Sequence, residues 1–251
     1  MIDIHTHVLY GMDDGAKDLE TSLAMLDMAA DTGTTDIVGT PHCDPTFEFK
    51  PALIAERVKE LNEEMEGRIR IHSGCDFHLT FDNVNDALAN PAKYTIGGRN
   101  YLLIELSDIT IFKSTEPDYE RLQAAGMRLI ITHPERNPLL QQRMEQLEKW
   151  IDMGCYLQVT ADSLFGRFGR RAHAFAEGLM DRNMVHILAS DGHDTVKRPP
   201  VLQDAYKHVS KKWGEKRASL LMTENPGAVL RGEELASLEQ PAVKKAWQFW
   251  K

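Results

Sequence analysis

The chain has 251 residues, 42% of them hydrophobic and 27% charged, enough for one domain with a sizeable core and unlike a disordered or fibrous chain. Its 29 Lys and Arg against 38 Asp and Glu leave a net charge of −9, which argues against binding nucleic acid or an anionic membrane. Cys43, Cys75 and Cys155 lack CxxC spacing and form no disulfide framework; with no leader-like start and no apolar run of ~20 residues, the expected location is cytoplasmic.

Short apolar runs alternate with amphipathic stretches along the chain. Residues 1–4 predict a strand, and 19–32 a helix of 3.6-residue period that stops near Gly33. Residues 36–40 predict the second strand. Residues 51–66 predict a helix with Leu53, Ile54, Val58 and Leu61 on one face. Strands follow at 69–75, 101–104, 128–132, 155–159 and 185–189. Helices are predicted over 139–153 and 170–182, and loops over 110–117 and 165–171. This alternation implies parallel strands with right-handed crossovers. One domain is expected over residues 1–230. Residues 231–251, with Trp247 and Trp250, form a tail expected to be helical and to pack on the domain or on a partner, which leaves room for an oligomer.

An open doubly wound sheet and a closed barrel both fit the alternation. The polar residues favour the barrel. His5, His7, His42, Asp76, Glu105, His133 and Asp191 each follow an apolar run. In a parallel barrel all strand C-termini share one rim, so residues far apart in sequence would meet there. The expected fold is therefore α/β, a single-domain TIM-like barrel with about seven strands.

His5 and His7, two apart on a strand, point to the same side and could share a metal. Ser190-Asp191-Gly192-His193 offers a carboxylate and an imidazole, Thr40-Pro41-His42 and Thr132-His133-Pro134 end strands in the same fashion, and Glu105 closes an apolar run. Any one of these alone reads as structural; their joint placement at strand ends reads as a metal site. Histidine and carboxylate donors without thiolates suit Zn²⁺, Mn²⁺ or Fe²⁺. So many donors imply two or three ions, an arrangement suited to phosphate chemistry. Cys43 and Cys75, beside proposed ligands, read as small buried residues. None of the cysteines is followed at the sixth position by the Arg of a phosphocysteine signature: Phe49, Phe81 and Ala161 stand there.

His5-Thr6-His7, Asp13-Asp14-Gly15, Thr40-Pro41-His42, Glu105, His133-Pro134-Glu135-Arg136, Ala189-Ser190-Asp191-Gly192-His193 and Arg198-Pro199-Pro200 together resemble the polymerase and histidinol phosphatase (PHP) superfamily. The resemblance is nearer to its bacterial capsule-regulating tyrosine-protein phosphatase branch, and it extends from Met1 to about Leu230. It implies a distorted (β/α)7 barrel with a trinuclear centre. One ion would be held by His5, His7 and Asp191, a second by Glu105 and His133, a third by Asp14, His42 and His193. Asp76 stands where the family places a bridging Glu, with His78 and Asp82 nearby. Mn²⁺ is the expected metal.

The resemblance further implies hydrolysis of phosphotyrosine through attack on phosphorus by a metal-bridging hydroxide. Arg136 and Arg198 would clamp the phosphoryl oxygens, because a guanidinium fork matches phosphate geometry. His193 or a metal would steady the departing oxygen, and the sequence assigns no dedicated acid. The implied substrate is a tyrosine-autophosphorylated kinase of exopolysaccharide export. The rival readings are a small-molecule phosphatase of the histidinol-phosphate type, an amidohydrolase-like metallohydrolase and a non-catalytic metal-binding scaffold.

Overall fold

Every apolar run named above, the tail apart, becomes a strand or a helix in the structure, a computed structural model that describes residues 1–236. Of the tail expected to be helical over 231–251, residues 232–236 leave the last helix without forming another, and residues 237–251 lie outside the described residues. In chain order the elements are β1 (Ile2–Thr6), α1 (Leu19–Asp31), β2 (Asp36–Gly39), β3 (His42–Cys43), α2 (Pro51–Glu64), β4 (Arg70–Ser73), β5 (Asp76–His78), α3 (Phe81–Ala89), β6 (Tyr101–Glu105), α4 (Thr115–Ala124), β7 (Arg128–Thr132), α5 (Met144–Asp152), β8 (Tyr156–Thr160), α6 (Gly169–Asp181), β9 (Ile187–Ala189), α7 (Gln203–Trp213), α8 (Glu215–Ser219) and α9 (Asn225–Arg231).

All strand pairs are parallel, in the orders β1-β2-β4 and β3-β5-β6-β7-β8-β9. The two sets are halves of one sheet. β2 continues into β3 across Thr40-Pro41, where the proline has no N–H to give the ladder. β4 continues into β5 across Gly74-Cys75. Gly74 N donates to Gly39 O at 2.9 Å and Asp76 N to Pro41 O at 3.1 Å, so pairing crosses both breaks. Seven staves result. The last joins the first: Asp191 N donates to His5 O at 2.9 Å, His7 N donates to Gly192 O at 2.8 Å, and Thr6 bridges Gly192. The expected seven-stave barrel is thus distorted by two broken staves, both at the functional rim.

The side-chain alternation of a strand sorts the core into two layers. Ile4, Val38, Tyr101, Leu103, Ile130 and Ile187 fill the interior. Leu102, Ile104, Leu129, Ile131, Leu157 and Leu188 face outward and pack under helices through Tyr119, Leu122, Leu147, Trp150 and Leu179. Burial on both faces is why the strands read as unbroken apolar runs. α1 and α2 cover the first staves with Met25, Leu26, Ile54 and Leu61. Asp18 caps α1, accepting from Thr21 N at 2.9 Å.

Helices α3, α4 and α7 go beyond the sequence expectation. Their buried stripes are sparse: Val84 and Ala87; Thr115, Tyr119 and Leu122; Ala205 and Val209. α4 also begins inside the segment expected as a loop. The helix expected from residue 139 starts only at Met144, because a 3-10 turn at Leu140–Gln142 follows Pro138. No helix among the described residues is long and apolar enough to cross a membrane.

One prediction arises at the base of the barrel. His186 Nδ1 accepts from Leu157 N at 3.1 Å, a bond only the neutral ring can make. Burial pushes its pKa down to about 4, below the ~6.5 of an unfolded chain. The unfolded state therefore holds the proton more tightly between these values, and His186's contribution is intact above ~6.5 and lost as pH falls toward 4. The urea midpoint should fall over this window, and His186→Gln should flatten that fall. An unaltered slope in the variant would remove His186 as its source.

Candidate metal centre

The C-terminal ends of the staves deliver the site. His5 and His7 leave β1, His42 opens β3, Asp76 opens β5, Glu105 ends β6, His133 follows β7, and Asp191 and His193 follow β9. Asp14 comes from the loop after β1. His133 and Asp191 have φ of +31° and +53°, a strained conformation for residues with a Cβ and one that clusters at functional sites.

These nine side chains form one cluster. Asp76 Oδ2 lies 3.4 Å from His5 Nε2, 3.3 Å from His42 Nδ1 and 4.0 Å from His133 Nε2. Glu105 lies 3.7 Å from His133 Nε2 and 3.5 Å from His42 Nδ1. Asp191 Oδ1 lies 3.6 Å from His5 Nε2 and 3.5 Å from His7 Nε2. Asp14 Oδ1 lies 3.5 Å from His42 Nε2 and 3.4 Å from His193 Nε2. Three overlapping groups have donor atoms close enough for an ion: His7, Asp14, His42 and His193; His5, His7 and Asp76; and His42, Asp76 and Glu105. His78 stands at the margin, 3.8 Å from Glu105, and Asp82 is exposed outside the cluster.

The outward nitrogens of the rings are already committed. His5 Nδ1 donates to Gln158 Oε1 at 3.0 Å, His7 Nδ1 to Asp13 Oδ2 at 2.6 Å, and His193 Nδ1 to the Asp191 carbonyl at 2.9 Å. Each Nε2 lone pair is thereby turned into the cluster, the arrangement by which partners orient metal-ligating histidines. His5 Nε2, His7 Nε2, His42 Nδ1 and Asp76 Oδ2 are buried with no hydrogen-bond partner among the described residues. Orphaned polar atoms are costly, and divalent cations in the overlapping groups would satisfy them. Asp13 and Gln158 are the residues that sequence reasoning missed. Asp13 stood in the quoted Asp-Asp-Gly motif, while Gln158, a lone polar residue inside the apolar run of β8, was the signal for the other. Asp3, also buried, accepts from Ser190 N at 3.1 Å and so steadies the β9 loop; burial pushes its pKa up to about 6.

Electrostatics in the cluster favour cations. Burial opposes the charge on His7 and His42, yet Asp13 raises the first to about 9, and Asp76 and Glu105 raise the second to about 11. The carboxylates move the other way: against burial, the histidines hold Asp76 well below the usual range, and against burial and Asp76 they lower Glu105 to about 2. A metal binding here displaces protons from these rings.

Two arginines close the rim. Arg136 and Arg198 both donate to Asp191 Oδ2, leaving Oδ1 toward the histidines. Arg136 is not paired with its neighbour Glu135, which is buried and accepts from Thr160 N and Ser163 Oγ. Cys43 and Cys75 are buried and unbridged, as their packing role requires.

Residues 1–231, which contain every residue of the cluster, match the family model for capsular polysaccharide synthesis, CpsB/CapC. The chain belongs to the CpsB/CapC family. It is 32% identical over 239 residues to the tyrosine-protein phosphatase CpsB of Streptococcus pneumoniae, covering 92% of this chain and 98% of that one. It is 31% identical over 253 residues to the tyrosine-protein phosphatase YwqE of Bacillus subtilis, covering 99% of each. Among solved structures, one from a study of YwqE from Bacillus subtilis and CpsB from Streptococcus pneumoniae, metal-dependent tyrosine phosphatases, matches with a TM-score of 0.89 at 30% identity, covering 98% of this chain and 100% of the other. The capsule-regulating branch expected from the strand-end motifs is thus the CpsB/CapC family.

Proposed function

We propose that this chain is a metal-dependent protein-tyrosine phosphatase. The observation that carries the proposal is the convergence of four buried, partnerless donor atoms, on His5, His7, His42 and Asp76, in a rim closed by two arginines. Family membership and the YwqE likeness support the same reading.

The donor set fits a trinuclear centre of divalent ions, with Mn²⁺ our choice and Zn²⁺ or Fe²⁺ compatible with the same donors. His5, His7 and Asp191 would hold one ion, Glu105 and His133 a second, and Asp14, His42 and His193 a third. Asp76, equidistant within 0.1 Å from His5 and His42 at 3.4 and 3.3 Å, is placed to serve more than one ion despite its short side chain. When bound, the ions supply a water that ionises near neutral pH and positive charge against the phosphoryl oxygens.

The chain's own groups do the rest. Arg136 and Arg198 bind the phosphoryl oxygens and orient phosphorus. His193 belongs to the ligand set, since its Nδ1–H is bound to the Asp191 carbonyl and its Nε2 faces Asp14. A tyrosine phenolate has a pKa of ~10 and leaves without strong protonation, so no dedicated acid is required.

The rim suits a protein substrate. Among the described residues Phe81, Ile109, Phe112, Phe165 and Val196 are exposed, and each follows the C-terminal end of a strand: Phe81 as the first residue of α3 after β5, Ile109 and Phe112 after β6, Phe165 after β8 and Val196 after β9. Exposed apolar side chains gathered around a site mark an interaction face, whereas a histidinol-phosphate-type enzyme needs only a closed polar pocket. The expected partner is a tyrosine-autophosphorylated kinase of capsule or exopolysaccharide synthesis, met in the cytoplasm. Phosphate release from phosphotyrosine peptide, phosphoserine peptide and histidinol phosphate, each with Mn²⁺, tests the assignment. Preference for the phosphotyrosine peptide is expected; turnover of histidinol phosphate alone would move the chain to the small-molecule class.

A further inference from the structure

Phe168 stands between the two arginines. Its ring centroid lies 4.4 Å from Arg136 Cζ and 5.8 Å from Arg198 Cζ. The three residues come from different loops: Arg136 after β7, Phe168 after β8 and Arg198 after β9. A guanidinium fork is useful only when its plane is fixed. Here the hydrogen bonds that fix both forks run to one oxygen, Asp191 Oδ2. A phosphoryl group gripped by the arginines needs those same N–H groups. An anchor that uses no N–H must then keep the planes aimed, and the face of an aromatic ring is such an anchor.

The loop that carries Phe168 is tied down. Gly166 and Gly169 have φ of +74° and +90°, a left-handed backbone that turns the chain on either side of Arg167 and Phe168. Gly169 N donates to Gly166 O at 2.9 Å, and Arg167 pairs with Asp162 at 3.2 Å. Ser163 Oγ donates to Glu135 Oε1 at 2.7 Å, and Thr160 N donates to the same oxygen at 3.0 Å. Glu135 adjoins Arg136. One buried carboxylate therefore links the loop of Phe168 to the loop of Arg136.

We propose that Phe168 is a positioning residue, an aromatic platform shared by Arg136 and Arg198 that keeps both guanidinium forks aimed at a phosphoryl group. The proposal rests on the reading of the two arginines as phosphate ligands. Because the ring acts through the arginines, it serves any phosphate oxyanion, whether or not a phenyl group is attached.

Inorganic phosphate as an inhibitor, with para-nitrophenyl phosphate as substrate of the metal-loaded protein, separates the alternatives. Phe168→Ala should weaken phosphate inhibition and raise KM together by about 3- to 30-fold, the span of cation–π contacts at a partly buried site. Melting temperature and metal content should not change. Phe168→Trp should restore both constants, and Phe168→Leu, which keeps apolar bulk without a π face, should not. Unchanged phosphate inhibition in Phe168→Ala, or full function in Phe168→Leu, would overturn the proposal. Arg136→Ala and Arg198→Ala run in parallel: if they weaken phosphate inhibition and Phe168→Ala does not, the platform alone is wrong. If neither arginine variant changes it, the arginine reading fails and takes the platform with it.

Discussion

His42→Ala is expected to lower phosphotyrosine turnover by more than about 100-fold while leaving the barrel folded. His42 offers Nδ1 toward Asp76 and Glu105 at 3.3 and 3.5 Å and Nε2 toward Asp14 at 3.5 Å, so no other ring touches as many of the proposed donor groups. Loss of a partner that merely orients a ligand costs about 10–100-fold in affinity or activity, and loss of the ligand itself must exceed that. Asp13→Asn and Gln158→Ala, which remove the orienting partners of His7 and His5, should therefore fall in the smaller range. His133→Ala and Asp191→Ala should rank with His42→Ala. Metal content by plasma mass spectrometry, far-UV circular dichroism and turnover check the series. A folded His42→Ala that retains near-normal rates would refute the ligand assignment.

Arg198→Ala should reduce kcat/KM by about 100-fold with metal content unchanged, the scale of removing one preorganised donor to developing charge. Arg198→Lys should recover little, since an ammonium replaces the charge but not the fork. The alternative is specific. Arg198 also neutralises Asp191, whose carboxyl is held well below its usual range, against burial, by Arg136, His5 and Arg198. If the variant lost metal together with activity, Arg198 would be a support for Asp191 rather than a ligand for phosphate. Phosphate inhibition constants and metal content on the same sample distinguish the two.

The barrel was legible because its strands are buried on both faces, so the runs that become β6, β7 and β8 stand out without any alternation to interpret. The rim was legible for a related reason. A histidine or carboxylate directly after such a run has few explanations, and a parallel barrel turns seven such coincidences into one place. What the sequence hid depends on lateral neighbours. Nothing local says that Asp13 reaches His7, or that Gln158, on the sixth of the expected strands, turns His5. Phe168 lay within a segment expected as a loop, and its value depends on arginines from two other loops. The second and third expected strands stop at residues 40 and 75, so the pairing that resumes beyond Thr40-Pro41 and Gly74-Cys75, in β3 and β5, was not expected. It brings His42 and Asp76 into register as the first pair of β3 and β5, and so into the cluster. Helices α3, α4 and α7 escaped because an outer helix covering a small patch needs only two or three buried side chains.

The central claim is that hydrolysis of phosphotyrosine depends on ions held by this rim. Its most direct test is phosphate release from a phosphotyrosine peptide by chelator-stripped protein, before and after titration with Mn²⁺, with bound metal counted on the same samples. The account predicts negligible release from stripped protein and recovery that tracks metal bound, in the wild type but not in His42→Ala. Undiminished release from protein shown to be free of metal would contradict it.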